Sequence, residues 1–130
     1  MPKKPIQTAA APKAIGPYSQ AVRSGRLLFC SGQIGLVPET MSLVAGGAAA
    51  ETRQAMRNLS AVLGEAGASW ADVVKTTIYL TDLRDFDAVN AVYAEHVSAV
   101  APARATAQIA ALPKGAVVEI EAIAHLEREP

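Results

Sequence analysis

The sequence predicts an α+β fold: one mixed β-sheet covered on one face by two helices. Two observations carry this. Alternating, β-branched segments near both ends enclose a long stretch of helical periodicity, and a further strand-like run separates that stretch from a second amphipathic segment. The resulting order is ββ, α, β, α, ββ, and helices interleaved with paired strands favour a sheet with a helical layer.

The elements follow in order. Residues 1–17 are rich in Pro, Ala and Lys and end in Ile15-Gly16-Pro17, which predicts an extended arm and a turn. Tyr18 to Val22 and Leu27 to Ile34 form two short strands joined at Ser24-Gly25-Arg26, followed by a loop around Pro38. From Ala48 to Ala66 the apolar residues Ala55, Met56, Leu59, Val62, Leu63 and Ala66 recur at helical spacing, opposite Glu51, Arg53, Arg57 and Glu65, with Gly67 as the stop. Val73 to Leu80 is dense in β-branched residues and predicts a strand. Asp82 is the expected N-cap of a second helix whose buried stripe is Leu83, Phe86, Val89 and Tyr93 or Val92. Two strands, Arg104 to Ile109 and Val117 to Leu126, close the chain around the turn Leu112-Pro113-Lys114-Gly115.

Composition narrows the function. With 130 residues, 51% of them hydrophobic, the chain is expected to be a single domain over 1–130. Twelve basic residues balance twelve acidic ones and, apart from Lys3-Lys4, the basic ones are scattered, so the footprint of phosphate-backbone binding is missing and no nucleic-acid partner is expected. The lone Cys30 has no internal disulfide partner, the N-terminus lacks a secretory pattern, and no window has the length of a membrane span. The expectation is a soluble protein of a reducing compartment, the cytoplasm, with no membrane partner. There is no Gly-x-Gly-x-x-Gly, no phosphate loop and no Gly-x-Ser-x-Gly, and His96 and His125 lack neighbours in ligand spacing, so neither a cofactor nor a metal is expected.

Arg104 is the most informative residue. It is a lone charge in the small, apolar run from Ala99 to Leu112, and a guanidinium in such a setting calls for an anionic partner, structural or substrate. Strand alternation sets Arg104, Thr106 and Gln108 on one side and Ala103, Ala105, Ala107 and Ile109 on the other; Glu119, Glu121 and His125 likewise oppose Val118, Ile120, Ala122 and Ala124. The small apolar side suits helix packing. The polar side is too sparsely charged for a fully solvated sheet and is expected to be partly buried against another subunit. A structural ion pair of Arg104 with Glu119 or Glu121 is the competing account of the same residues.

The segments Ile15-Gly16-Pro17-Tyr18-Ser19-Gln20, Cys30-Ser31-Gly32-Gln33-Ile34, Val74-Lys75-Thr76-Thr77, Asp82-Leu83 with Phe86, Val89-Asn90, Pro102-Ala103-Arg104, Leu112-Pro113-Lys114 and Glu119-Ile120-Glu121-Ala122 together resemble the RidA (YjgF) imine deaminases, in order and over nearly the whole chain. The resemblance implies a chorismate-mutase-like fold, a homotrimer with three clefts between subunits, and cofactor-free hydrolysis of reactive 2-imino acids, released by pyridoxal-phosphate enzymes, to 2-keto acids and ammonia. It implies that Arg104 grips the substrate carboxylate and that Glu119 handles the attacking water. Tyr18, Ser31 and Asn90 would shape the cleft, the Gly32 amide would reach the carboxylate, and the Thr106 backbone carbonyl would hold the imine nitrogen. Thr106 stands where many members have Cys, and Glu95 to Val100 departs from the family pattern before Pro102. Two alternatives accompany this reading: an endoribonuclease or translation inhibitor, a label attached to some relatives, and a non-catalytic ligand-binding or chaperone-like trimer using the same cleft. Balanced charge and the want of aromatics beside basic residues argue against the first.

Overall fold

The structure is a computed structural model that describes residues 2–127. Met1, the first residue of the expected arm, and the last three positions of the expected 1–130 unit lie outside the described residues.

In chain order the strands are β1 (Lys4–Ile6), β2 (Ala21–Ser24), β3 (Leu27–Gln33), β4 (Leu36–Val37) and β5 (Ser42–Leu43), then β6 (Val73–Leu80), β7 (Ala103–Gln108) and β8 (Val118–His125); helix α1 (Gly47–Glu65) precedes β6 and α2 (Phe86–Ala94) follows it. Six strands form one sheet in the order β1-β2-β3-β8-β6-β7, antiparallel throughout except for the parallel pair β6 and β7, while β4 and β5 make a separate ribbon. This is the expected mixed sheet with two helices.

Alternation decides which face the helices cover. Leu28 and Cys30 of β3, Ile78 and Leu80 of β6, and Val118, Ile120, Ala122 and Ala124 of β8 are buried together with Ala55, Met56, Leu59, Val62 and Leu63 of α1. Fully burying the leucine, isoleucine, valine and methionine side chains among them contributes roughly 1.5 to 3 kcal/mol each, which makes this layer the main stabilising feature. Cys30 belongs to it, and burial pushes its thiol up to about 12, so it packs as a small hydrophobe. Gly67, at φ 77, stops α1 in a conformation that costs glycine little.

Several local expectations change. The N-terminal arm is not merely extended: Lys4–Ile6 pairs with β2 as the outermost strand. The second strand starts at Ala21 rather than Tyr18, since Tyr18 turns back to hydrogen-bond the Gly16 carbonyl. Glu51, expected on the solvent side of α1, is 4% exposed. Its carboxylate accepts the Val117 amide at 2.8 Å, so it ties the start of α1 to the chain entering β8, and burial raises its pKa. Asp82 caps a 3₁₀ turn, Leu83–Asp85, that precedes α2. Leu83 and Phe86 stay exposed, whereas Val89, Val92 and Tyr93 are all buried. The turn rotates the first apolar residues of that stripe away from the core.

Candidate active site

Arg104 lies near the start of β7, the edge strand. In register the row Cys30, Ala122, Thr76, Arg104 crosses the sheet, and its first three members face the helices. Arg104 therefore points to the helix side, under α2. Its guanidinium carbon is 5.1 Å from the centroid of the Tyr93 ring and 5.6 Å from that of Phe86. Tyr93 is in turn bonded through its hydroxyl to that of Thr76 at 2.6 Å, a buried contact. Phe86, Asn90 and Tyr93, at i, i+4 and i+7, share one face of α2, so Asn90 belongs to this group. Thr106 is two residues beyond Arg104 on the same side. Its Oγ1 is the buried side-chain oxygen without a partner among the described residues.

Glu119 lies on the other side. Its row on β8 and β6 pairs it with Tyr79, which points away from the helices. Glu119 opens onto a cavity of about 210 Å³ whose walls include Lys13, Ile15, Tyr18, Gly32 and Lys114. Burial and the neighbouring Glu121 charge raise the Glu119 pKa above the usual carboxylate range. Glu121 differs: the Tyr79 hydroxyl bonds to it, which raises the phenol pKa. Gly32 touches Glu119 so closely that a Cβ there would stand 2.8 Å from both Cδ and Oε2 of the carboxylate. Any side chain there would force the Glu119 carboxylate to turn aside.

The arm builds one wall of this cavity. Gln20, 3% exposed, accepts the Thr8 amide at 2.7 Å and donates to the Pro12 carbonyl at 2.7 Å and the Thr8 carbonyl at 3.1 Å. Those bonds fix the chain just before Lys13 and Ile15. Ser31 donates its hydroxyl to the Ser19 carbonyl at 2.6 Å and is not among the groups lining the cavity. Its side chain secures the segment that carries Tyr18. Lys114 holds φ 59, an uncommon left-handed conformation for a residue other than glycine, at the cavity rim.

The expected common polar face is thus corrected. Arg104 and Thr106 face the helix layer; Glu119 and Glu121 face the uncovered side. On β7 it is the alanines, Ala103, Ala105 and Ala107, that stand exposed on the open face. The cause is α2, whose two rings offer the guanidinium a favourable cover that alanine methyls would not fill. Strand β6 also separates β7 from β8, and among the described residues no carboxylate pairs with Arg104, which removes the ion pair with Glu119 or Glu121. Within one chain the expected residues form two groups: Arg104, Asn90 and Thr106 on one side, Tyr18, Gly32 and Glu119 on the other. The roles of Phe86 and Tyr93 as cover for Arg104 were missed, although both carried a signal: two aromatics seven apart on a helix following a strand. Gln20 had none, since its partners lie 8 to 12 positions away.

These features define a class, a small α+β protein with a mostly antiparallel sheet backed by two helices and polar groups gathered on both faces. Within that class the chain belongs to the Endoribonuclease L-PSP family, also called RidA or YjgF, whose model matches residues 8–126. It is 50% identical over 122 residues to human 2-iminobutanoate/2-iminopropanoate deaminase, across 94% of this chain and 89% of the relative. It is 52% identical over 126 residues to Protein DfrA of Myxococcus xanthus, across 95% and 96%. The crystal structure of E. coli TdcF with bound serine superposes with a TM-score of 0.88 at 42% identity, covering 94% of this chain and 98% of that one. Among the described residues no helix is long and apolar enough to cross a membrane.

Proposed function

We propose that the chain hydrolyses 2-imino acids to 2-keto acids and ammonia, in clefts formed between the subunits of a homotrimer. The observation that carries this reading is the Glu119 carboxylate: half-buried, raised in pKa, and open to a cavity. A carboxylate whose proton affinity is raised and which faces open space is suited to take a proton from water. Similarity to the human deaminase supplies the substrate class, and a relative crystallised with serine supports a pocket sized for a small amino-acid skeleton.

The reaction balances with water alone. The imino acid, R–C(=NH)–COO⁻, places its carboxylate on the Arg104 fork, where a bidentate contact fixes its plane. Glu119 removes a proton from water as the oxygen attacks C2. The adduct nitrogen takes that proton back from Glu119, giving the neutral carbinolamine R–C(OH)(NH₂)–COO⁻; Glu119 then carries the hydroxyl proton to the nitrogen, the C–N bond breaks as the C=O forms, and R–CO–COO⁻ and NH₃ leave. The Thr106 backbone carbonyl accepts from the imine N–H, Asn90 and Tyr18 border the substrate, and the Gly32 amide reaches the carboxylate. Since no ligand stands between water and imine in this scheme, it requires no cofactor or metal. The two residue groups face opposite sides of one sheet, so a cleft containing both needs a second subunit. The exposed apolar residues of the open face, Leu27 and Phe29 with the β7 alanines, support its burial in a chorismate-mutase-like trimer. A buried free thiol fits a cytoplasmic setting, and the reading takes residues 1–130 as a single domain.

The test is steady-state hydrolysis of the imine that a threonine dehydratase releases from threonine, followed together with sedimentation equilibrium. Wild type is expected to be a trimer that accelerates keto-acid release, and Arg104→Ala a folded trimer that is close to inactive. Charged hydrogen bonds contribute roughly 1.5 to 3 kcal/mol each, which is about ten- to more than a hundredfold per lost contact. A stable monomer, or full activity in Arg104→Ala, would overturn the proposal.

A further inference from the structure

Resting on the reading of Arg104 as the carboxylate anchor, we infer that Phe86 and Tyr93 are positioning residues for it. Their rings hold the guanidinium flat and leave its donor edge free for substrate. Arginine has a long, flexible stem, and a fork that must meet a carboxylate in one plane loses affinity whenever it slides or rotates. A structural carboxylate could fix it, but would occupy the N–H donors that the substrate needs. An aromatic face attracts the same cation through its ring quadrupole and uses none of those donors. Here two rings do so, at 5.1 and 5.6 Å, and both rise from one face of α2.

The inner ring is itself fixed. Tyr93 is 5% exposed and its hydroxyl bonds to that of Thr76 at 2.6 Å. Thr76 is also the residue paired with Arg104 in the β6 to β7 ladder. One threonine therefore sets the Arg104 backbone through the strand pairing and the platform of its side chain through Tyr93, a closed loop of three residues. Phe86, 37% exposed, closes the outer side and is the part of the arrangement that stability requires least.

The experiment measures binding of 2-oxobutanoate by calorimetry, together with kcat, KM and melting temperature, for Phe86→Leu, the double variant Thr76→Val with Tyr93→Phe, Arg104→Ala, Arg104→Lys, and Arg104→Lys combined with Phe86→Leu. Phe86→Leu is expected to weaken 2-oxobutanoate about two- to thirtyfold, the span that cation–π contacts commonly cover. KM should rise more than kcat falls, with the melting temperature nearly unchanged. The double variant, which keeps both rings and removes both ends of the hydroxyl bond, should weaken binding in the same direction by a smaller factor. Because both substitutions act on one guanidinium, Arg104→Lys should lose less affinity in the Phe86→Leu background than in wild type. Unchanged affinity in Phe86→Leu and in the double variant, or losses that simply multiply in the Arg104 cycle, overturns the inference. If Phe86→Leu fails to fold, the double variant decides alone. Undiminished 2-oxobutanoate binding in Arg104→Ala would instead show that the anchor reading itself had failed.

Discussion

The two residue groups are built on opposite physical plans. Around Arg104 everything is fixed: an edge strand pinned in register, two rings over the guanidinium, and a buried hydroxyl bond beneath one of them. Around Glu119 the carboxylate is left without a hydrogen-bond donor among the described residues, beside a like charge and against a bare glycine. The contrast suits two tasks. A group that recognises must keep its geometry, and packing supplies that. A group that accepts a proton must keep its proton affinity, and each hydrogen bond donated to a carboxylate would lower it. Glu121 instead has the Tyr79 hydroxyl bonded to it.

The sharpest way to break this comparison is to put the two plans on different chains. Arg104→Ala and Glu119→Gln are each expected to be nearly inactive. If every cleft takes Arg104 from one subunit and Glu119 from the next, mixing and co-refolding the two variants in equal amounts should restore about a quarter of wild-type activity, since two of the neighbouring positions must each be the right chain. Sites complete within one subunit would recover nothing. The measurement is the imine-hydrolysis rate of the mixture against each parent refolded alone.

Much of the fold was legible because its signals are local. The helix period of α1, the β-branched run of β6 and the alternation along β8 each report one element's own burial, and each element is where the spacing set it. What failed was the step from one strand to its neighbours. Alternation says that Arg104 and Ala105 point opposite ways, but which of them meets the helices depends on α2, an element whose aromatic cover is distant in sequence. Polar residues on two strands read as one face because alternation alone assigns the small apolar side of each strand to the helices. Glu51 failed for the same reason: its partner, the Val117 amide, is 66 positions away, and no helical wheel contains it. Arg104, Glu119, Tyr18 and Gly32 were legible as polar or bare positions, while their division between two faces was a tertiary fact.

A smaller effect is expected at Gly32, where the closeness of the Glu119 side can be probed alone. Gly32 is exposed and its φ does not demand glycine, so alanine introduces no backbone strain. Its methyl would stand 2.8 Å from Cδ and Oε2 of Glu119, and the side chain has to turn aside. Displacement of a proton acceptor by about 1 Å commonly costs tenfold or more in rate. Gly32→Ala is therefore expected to lower kcat about tenfold, with binding of 2-oxobutanoate less affected, because the methyl displaces the Glu119 side chain while the Gly32 amide that reaches the carboxylate is kept. Equal losses in kcat and in affinity would mean that the methyl also moves the Gly32 amide off the substrate carboxylate.

The mildest prediction separates the two acids by pH. Burial first, then the Glu121 charge, raises the folded-state pKa of Glu119. The ionised carboxylate is thus disfavoured by folding: the penalty is absent below the unfolded value of about 4.3, grows as pH rises through the folded pKa, and is full above it. Glu119→Gln should accordingly melt slightly higher than wild type at pH 8, by about 1 to 3 °C, with the gain vanishing near pH 4. The group is half exposed, and solvent screening keeps the shift small. Turnover in this variant should nevertheless fall by roughly a hundredfold or more, the usual loss when a general base is removed. Glu121→Gln behaves otherwise. It removes one cause of the raised Glu119 pKa, so the acid limb of the pH–rate profile should move to lower pH while the plateau rate is largely kept. The profiles of wild type and Glu121→Gln between pH 4 and 9 decide the point, within the range where carboxylates titrate. A collapsed plateau in Glu121→Gln would transfer the proton-accepting role to Glu121, and an unmoved limb would mean that Glu119 does not feel its neighbour's charge.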